Sequence, residues 1–241
     1  MRDVVSAGVE PLAADVLDAL AGLDTPTVCN ALEVVSPERR GFGYTTSPLV
    51  CARPDQGPIV GYARTATVAA VHPATVSTDE ARDLRLAYYR HMAEPPLPTI
   101  TVIEDIDPEP GYGAWWGEVN SNLHRGLGSL GVVTNGSIRD LDVWADGFGA
   151  LAGRIGPSHA FVHVVDVAMP VTVAGMYVRP GDLVHADRHG AVVVPMAAAT
   201  EVPAAAAGLA AQEAVLIEAS QRDDFSIDVL ARLMGGDADR H

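Results

Sequence analysis

A helix start, a buried strand and a glycine turn follow one another between Gly117 and Asp142 (GEVNSNLHRGLGSLGVVTNGSIRDLD), and this order restricts the fold more than any other stretch. Gly117–Arg125 reads as one or two turns of helix that begin just after a glycine. The first N–H groups of a helix have no intrahelical partner, and with the helix dipole they form a ready anion site. Leu130–Thr134 is a short apolar strand, Asn135–Ser137 a turn, and Arg139–Asp140 stands where a second helix, Asp140–Ala145, is expected. Ligands in open α/β sheets gather outside the carboxyl ends of strands. The stretch is therefore expected to bring together one guanidinium, the carboxylates of Glu118 and Asp140, and free N–H groups. That set suits a small oxo-acid held on a divalent cation. The plainer reading is that Asp140 caps the next helix, that Arg139 pairs with a surface carboxylate, and that Glu118 complements the helix dipole.

The flanking chain reads as alternating helices and strands. Pro11–Leu20 has apolar residues at helical spacing, and Asp24–Thr25–Pro26 starts a second helix that runs to about Val34. Ser36–Pro58, rich in Pro and Gly, reads as an irregular surface loop. Ile59–Val71 alternates as a strand, Asp79–Met92 is a charged amphipathic helix, and Thr99–Glu104 is a buried strand. A second Pro/Gly loop, Asp105–Ala114, leads to Trp115–Trp116. Phe161–Val167, Pro170–Val173, Tyr177–Val178, Leu183–His185 and Ala191–Val194 read as a mostly antiparallel meander. Pro203–Ser220 is an alanine-rich helix, and Gly235–His241 reads as a frayed tail. No linker separates the halves, so one mixed α/β domain is expected over residues 1–241.

The 241 residues suffice for a sizeable core, and 48% hydrophobic content is that of a globular chain. A net charge of −15 repels phosphate backbones, so no nucleic-acid partner is expected, and an anionic substrate needs local positive charge or a metal. Cys29 and Cys51 alone suggest no disulfide framework and fit a reducing cytoplasm. The first residues lack the pattern of a signal peptide, and no apolar run of spanning length is apparent, so no membrane association is expected.

Other motifs favour structural roles. Gly126–Gly131 spells G-x-G-x-x-G, but it follows a helix and opens a strand, the reverse of a dinucleotide site, so it reads as a tight turn. The pairs His159/His163 and His185/His189 fall in strand patterns, where four residues span about 13 Å, too far for one metal. Asp105 and Asp107 suit turn and cap chemistry, Trp115 and Trp116 an interface or core, and Cys29 a core.

The central stretch resembles the RraA-like family, which includes class II 4-hydroxy-4-methyl-2-oxoglutarate aldolases, oxaloacetate decarboxylases and regulators that dock on ribonuclease E. That family carries Gly-Asp/Glu, twenty residues, then Arg-Asp; here the pairs are Gly117-Glu118 and Arg139-Asp140. TPTVCNAL from Thr25, the meander VTVAGMYVRPGDLVHAD from Val171 to Asp187, and the alanine-rich helix match in order. The similarity covers roughly residues 20–220. It implies a three-layer β/β/α, swivelling-domain-like fold, assembled as homotrimers or dimers of trimers with sites between subunits. It also implies that Asp140 binds Mg²⁺ or Mn²⁺, that Glu118 holds water on that ion, and that Arg139 contacts the oxo-acid. The backbone beside Gly117, at Val119 and Asn120, would take the substrate carboxylate. A glutamate from a neighbouring subunit's C-terminal helix contributes in the aldolases, and Glu213 is the match in this chain.

The implied activity is retro-aldol cleavage of a 4-hydroxy-2-oxoacid, or decarboxylation of oxaloacetate, through a pyruvate enolate. The alternative is a regulator without catalysis that acts on a ribonuclease. The residue types suit the lyase, because a guanidinium and a divalent ion stabilise charge that develops on the 2-oxygen. Three positions depart from the family: Asn30 where many members have Asp, His189 in place of an acidic run, and Asn120 where the aldolases tend to be aliphatic.

Overall fold

Helices α1 (Ala14–Ala21) and α2 (Thr25–Val35) come first in the structure, a computed structural model that describes residues 10–235. Asp24 starts α2 as its sequence requires: its carboxylate accepts the Thr27 N–H, and Pro26 occupies the first turn. Strands β1 (Val50–Cys51) and β2 (Ile59–Ala69) precede α3 (Thr78–Met92), which Ser77 and Glu80 open with a reciprocal capping box. Next come β3 (Thr99–Asp105), β4 (Ala114–Trp116), α4 (Glu118–Gly126), β5 (Ser129–Thr134) and β6 (Ser137–Ile138). The second half holds β7 (Gly149–Ala152), β8 (Arg154–Ile155), β9 (His163–Val167), β10 (Val171–Val173), β11 (Met176–Val178), β12 (Leu183–Asp187) and β13 (Gly190–Val194). Helices α5 (Val202–Ser220) and α6 (Ile227–Met234) close the described chain.

One eight-stranded sheet carries the order β1-β7-β5-β3-β2-β12-β13, and β9 pairs with the far half of β2. Its centre, β7-β5-β3-β2, is parallel, and its flanks are antiparallel. Strand side chains alternate between faces. Tyr62, Ala66 and Val68 of β2 therefore face the helices, while Ala63 faces the β10-β11 hairpin. The same split recurs on β3, where Ile103 packs on the helix side and Ile100 and Val102 on the hairpin side. Hairpin, large sheet and helices thus form the three layers, with apolar packing on both faces of the sheet. This is the mixed α/β class expected from the sequence.

A third, small parallel sheet, β4-β6-β8, positions the candidate site. Trp116 of β4 is paired with Ile138 of β6. The residues that follow them are Gly117 and Arg139, so two segments distant in sequence end side by side.

Several expectations need correction. The strands after residue 160 are antiparallel but form no continuous meander. β9 and the β12-β13 hairpin both join β2, while β10-β11 forms a separate ribbon. The helix expected at Asp140–Ala145 is only a three-residue 3₁₀ turn, Leu141–Val143, because Asp140 takes left-handed backbone angles (φ 58°, ψ 40°) that cannot begin an α-helix. The first helix begins at Ala14, three residues after Pro11. α6 and the short strands β1, β4, β6, β7 and β8 lie where the sequence suggested loops or no element at all. By length and composition alone α5 is apolar enough to cross a membrane, contrary to the sequence expectation; it packs against α2 through Val202 and Ala206, but most of its surface is exposed, with only 17% of the apolar window buried. The N-terminal signal-peptide reading at residues 1–9 and the frayed tail beyond Gly235 lie outside the described residues.

Close packing of β5 on β7 depends on Gly131. A Cβ there would stand 2.6 Å from both the Gly149 carbonyl oxygen and Ile59 Cδ1. Gly131→Ala is expected to cost about 1–3 kcal/mol by overpacking. A Cβ at Gly126, on α4, would meet nothing within 4 Å, so Gly126→Ala leaves stability unchanged or raises it. Urea denaturation of the two variants checks the contrast.

Candidate active site

Glu118, Arg139 and Asp140 meet at the ends of β4 and β6. The Arg139 N–H donates to the Trp116 carbonyl at 3.0 Å, which extends the strand pairing past Ile138. Asp140 then turns left-handed, a conformation that Asp tolerates better than most side chains. That turn aims its carboxylate back at the start of α4. Asp140 Oδ2 accepts the Glu118 N–H at 3.3 Å and lies 3.7 Å from Arg139 Nε. The carboxylate therefore sits at the N-terminus of a helix other than the one the sequence suggested. Arg139 pairs with its own neighbour instead of a remote surface acid, and both side chains are about one third exposed (38% and 32%).

Gly117 is required at this junction for space. A Cβ at residue 117 would fall 2.4 Å from Asp140 Oδ2 and 3.2 Å from Arg139 Cγ. Its backbone is extended, so room rather than a positive φ demands glycine. With no side chain at the N-cap, the helix start has no cap of its own. The Ser121 N–H donates to the Gly117 carbonyl at 3.0 Å, while among the described residues nothing accepts the N–H of Val119 or Asn120. Those two donors stay free, as the anion-site reading requires. The Glu118 side chain is exposed, with no hydrogen bond or ion pair among the described residues.

The donor set suits a hard ion better than a zinc centre. Among the described residues no three His, Cys, Asp or Glu side chains gather as metal ligands. Asp140 Oδ1 has no hydrogen-bond partner there, and with about one third of its side chain exposed Asp140 is open to a ligand on its solvent side. Mg²⁺ keeps several waters and is held by one or two carboxylates plus substrate oxygens. Asp140 is one such carboxylate; Glu118 meets it through its backbone N–H, and the Glu118 carboxylate itself is exposed. Glu213 stands exposed on α5, and no hydrogen bond or ion pair joins it to these residues within the described chain.

A buried polar network beneath α4 went unread in the sequence. Tyr88 and Tyr89 of α3, Trp115 of β4, and Asn120 and His124 of α4 form it. His124 Nδ1 lies 2.6 Å from the Asn120 carbonyl oxygen, which only accepts, so the proton is on Nδ1 and Nε2 accepts from the Tyr88 hydroxyl at 2.6 Å. The Tyr88 oxygen in turn accepts the Trp115 indole N–H at 3.3 Å. The Tyr89 hydroxyl donates to Asn120 Oδ1 at 2.8 Å, and Asn120 Nδ2 donates to the Trp115 carbonyl. The signal available in the sequence was the four-residue spacing of Asn120 and His124 on one helix face. The His-x3-His pairs, the more conspicuous spacing, lie elsewhere. Of those, His185 is buried against Thr25 and the Leu20 and Leu23 carbonyls, and His189 pairs with Asp187. Asp105 and Asp107 serve loop turns as expected, accepting N–H groups of Gly111 and of Ala70 and Val71. Trp115 and Trp116 belong to the core. Gly126 ends α4 and Gly128 takes φ 90° just before β5, so the glycine-rich run is a helix-to-strand turn.

Comparison with known proteins bears on the fold and the family. A family model described as RraA-like, Aldolase/RraA, matches residues 14–193. No curated protein matches the chain. A structure described as an uncharacterized protein from Pseudomonas syringae pv. tomato str. DC3000 is 24% identical, with a TM-score of 0.68 over 95% of this chain and 99% of that one. The Streptomyces coelicolor protein RraAS2, described as an unusual member of the RNase ES inhibitor RraA protein family, is 22% identical, with a TM-score of 0.66 over 86% of this chain and 99% of that one. A structure described among novel cellulases from microbes of the gut ecosystem is 18% identical, with a TM-score of 0.69 over 86% of this chain and 90% of that one. At such identities the likeness speaks for the fold alone.

The network also sets a pH dependence. Burial, opposed only by the bond to the Asn120 carbonyl, lowers the His124 pKa from 6.5 to about 4. The folded value lies below the unfolded one, so the unfolded chain takes up the proton first. The associated stability is present above pH 6.5 and is lost as pH falls toward 4, to a total of roughly 3 kcal/mol. Burial lowers His91 and His185 in the same direction. Urea denaturation between pH 7 and 4 is expected to show the decline, and His124→Gln to remove its share of the slope.

Proposed function

Because this chain belongs to the RraA-like family, whose matching model spans residues 14–193, we propose that it is a divalent-metal-dependent carbon–carbon lyase acting on a small 2-oxoacid. The family includes aldolases and decarboxylases as well as inhibitors of RNase E. The observation that carries the lyase reading is the junction at Gly117. There the Asp140 carboxylate closes over Gly117, where no side chain would fit, and stands beside the Arg139 guanidinium and the start of α4, whose Val119 and Asn120 N–H groups have no partner among the described residues.

In this reading the N–H groups of Val119 and Asn120 take the substrate carboxylate, and Arg139 faces the 2-oxo oxygen. Cleavage of the C3–C4 bond sends its electron pair into the enolate, and the negative charge settles on that oxygen. A fixed guanidinium stabilises this charge more in the transition state than in the ground state. Glu118 holds a water that accepts the 4-hydroxyl proton as a carbonyl forms at C4. Protonation of the enolate at C3 then yields pyruvate. With oxaloacetate the departing group is carbon dioxide, and the same enolate results. Mg²⁺ or Mn²⁺, held by Asp140 with help from Glu118, would supply Lewis-acid stabilisation of the same oxygen. Val119 and Leu123, 68% and 46% exposed on α4, leave an apolar margin beside the site, where this reading places a neighbouring copy carrying Glu213.

A second reading, a regulator that docks on a ribonuclease, is favoured by the net charge of −15, which suits a basic partner. The description of the Streptomyces coelicolor relative points the same way. Capture of a stoichiometric ribonuclease from lysate, with no turnover, supports it.

Pyruvate release from a panel of 4-hydroxy-2-oxoacids and oxaloacetate, with Mg²⁺ or Mn²⁺ added, tests the lyase. Asp140→Ala and Arg139→Ala are each expected to lower kcat/KM by about 10²-fold or more while stability changes little. Absence of metal-dependent turnover across the panel overturns the proposal.

A further inference from the structure

We propose that Tyr89 and His124 are positioning residues: through Asn120 they hold the first turn of α4 so that its free N–H groups present one fixed cradle for a substrate carboxylate. The inference rests on the reading of the Gly117–Asp140 junction as the substrate site, and it adds residues that lie behind that site.

A helix of nine residues with a glycine N-cap has little of its own to keep its first turn closed. One backbone bond, Ser121 N–H to the Gly117 carbonyl, and the Asp140 contact to Glu118 act at the front. Ser121 Oγ also donates to the Glu118 carbonyl and accepts the Ala145 N–H, and Asn122 Nδ2 donates to the same carbonyl. Asn120 adds an anchor from behind, with its side-chain amide, its side-chain oxygen and its carbonyl all engaged. Its Nδ2 donates to the Trp115 carbonyl, the residue before Trp116 in β4. Its Oδ1 accepts from Tyr89 on α3 at 2.8 Å. Its carbonyl accepts from His124 Nδ1 at 2.6 Å, one turn along α4. His124 is itself fixed by Tyr88, and Tyr88 by the Trp115 indole, so the bonds close a ring from Trp115 back to Trp115. His124, Tyr88 and Trp116 are buried and Trp115 nearly so, which keeps water from competing for these partners. Only the Asn120 backbone N–H has no partner among the described residues, and as one of the first N–H groups of α4 it points toward that helix's N-terminal end. The ring therefore fixes the donor without touching the ligand.

This arrangement also explains a departure from the family pattern. Asn120 stands where the aldolases tend to be aliphatic, and its amide faces Trp115 and Tyr89 inside the fold. The polar side chain belongs to the support of the helix and adds no polar wall to the substrate pocket.

Tyr89→Phe is the clean test, because it removes one hydroxyl from a half-buried ring and leaves the packing. Amide hydrogen exchange at Ser121 is expected to rise about tenfold, with exchange in the sheet unchanged. KM for the oxo-acid is expected to rise roughly five- to tenfold while kcat stays within about twofold, since the carboxylate lies away from the bond that breaks. His124→Phe, which keeps an aromatic ring but removes the donor to the Asn120 carbonyl, is expected to do the same and more. A global loss of stability without that KM change, or unchanged Ser121 exchange in both variants, overturns the proposal. Should the wild-type protein release no pyruvate, the lyase reading falls by itself; calorimetric titration with oxalate then decides, a five- to tenfold weaker fit in Tyr89→Phe upholding the positioning role and equal or absent binding overturning it.

Discussion

The parallel pairing of Trp116 with Ile138 is the constraint on which the candidate site depends. It brings the ends of β4 and β6 together, so the glycine and acid after one strand meet the arginine and aspartate after the other. Arg139 continues the ladder through its bond to the Trp116 carbonyl, and Asp140 leaves it by turning left-handed. Such a turn costs on the order of 1–2 kcal/mol for a residue with a Cβ. The bond from the Glu118 N–H and the nearby Arg139 guanidinium offset part of that cost. A glycine at 117 is the other half of the arrangement, since any side chain there would occupy the position of the Asp140 carboxylate.

The site is thus a surface junction supported by a dry interior. In front lie groups that are partly exposed and able to exchange partners: the Asp140 carboxylate, the Arg139 guanidinium and two helix N–H donors. Behind lies a ring of aromatic and amide groups whose hydrogen bonds are nearly all satisfied. A buried network of this kind is costly when broken and specific when complete. Its burial lowers His124 to about 4 and raises Tyr88 and Tyr89, so the ring keeps one protonation pattern across the neutral range. Rigidity behind and freedom in front are what a binding junction needs, because contacts that must not move during a reaction are ordered before the ligand arrives.

Much of the fold was legible along the chain. Asp24–Thr25–Pro26 announced α2, alternation announced β2, and the apolar run from Thr99 announced β3. The Gly117-Glu118 and Arg139-Asp140 pairs were readable as one constellation from their residue types and spacing. Their exact contacts were not. A carboxylate at a predicted helix start reads naturally as that helix's cap, yet Asp140 serves the start of α4, and its own following turn stays 3₁₀. The meander was misread for a similar reason. Period-2 alternation marks a strand and its faces, but it holds no information about which strand is the neighbour. So β9 and β12 both joined β2, on successive halves of its length.

By itself the sequence determined local matters: which segments are helical or extended, where they are capped, and which polar residue types lie in one short stretch. Tertiary structure alone decided the pairing of a three-residue strand with a two-residue strand, the left-handed turn at Asp140, and the closed ring around Asn120. Strands that short have no periodicity to detect, and hydrogen bonds between groups 22 to 36 positions apart follow from packing the whole sheet and its helices, not from any local preference.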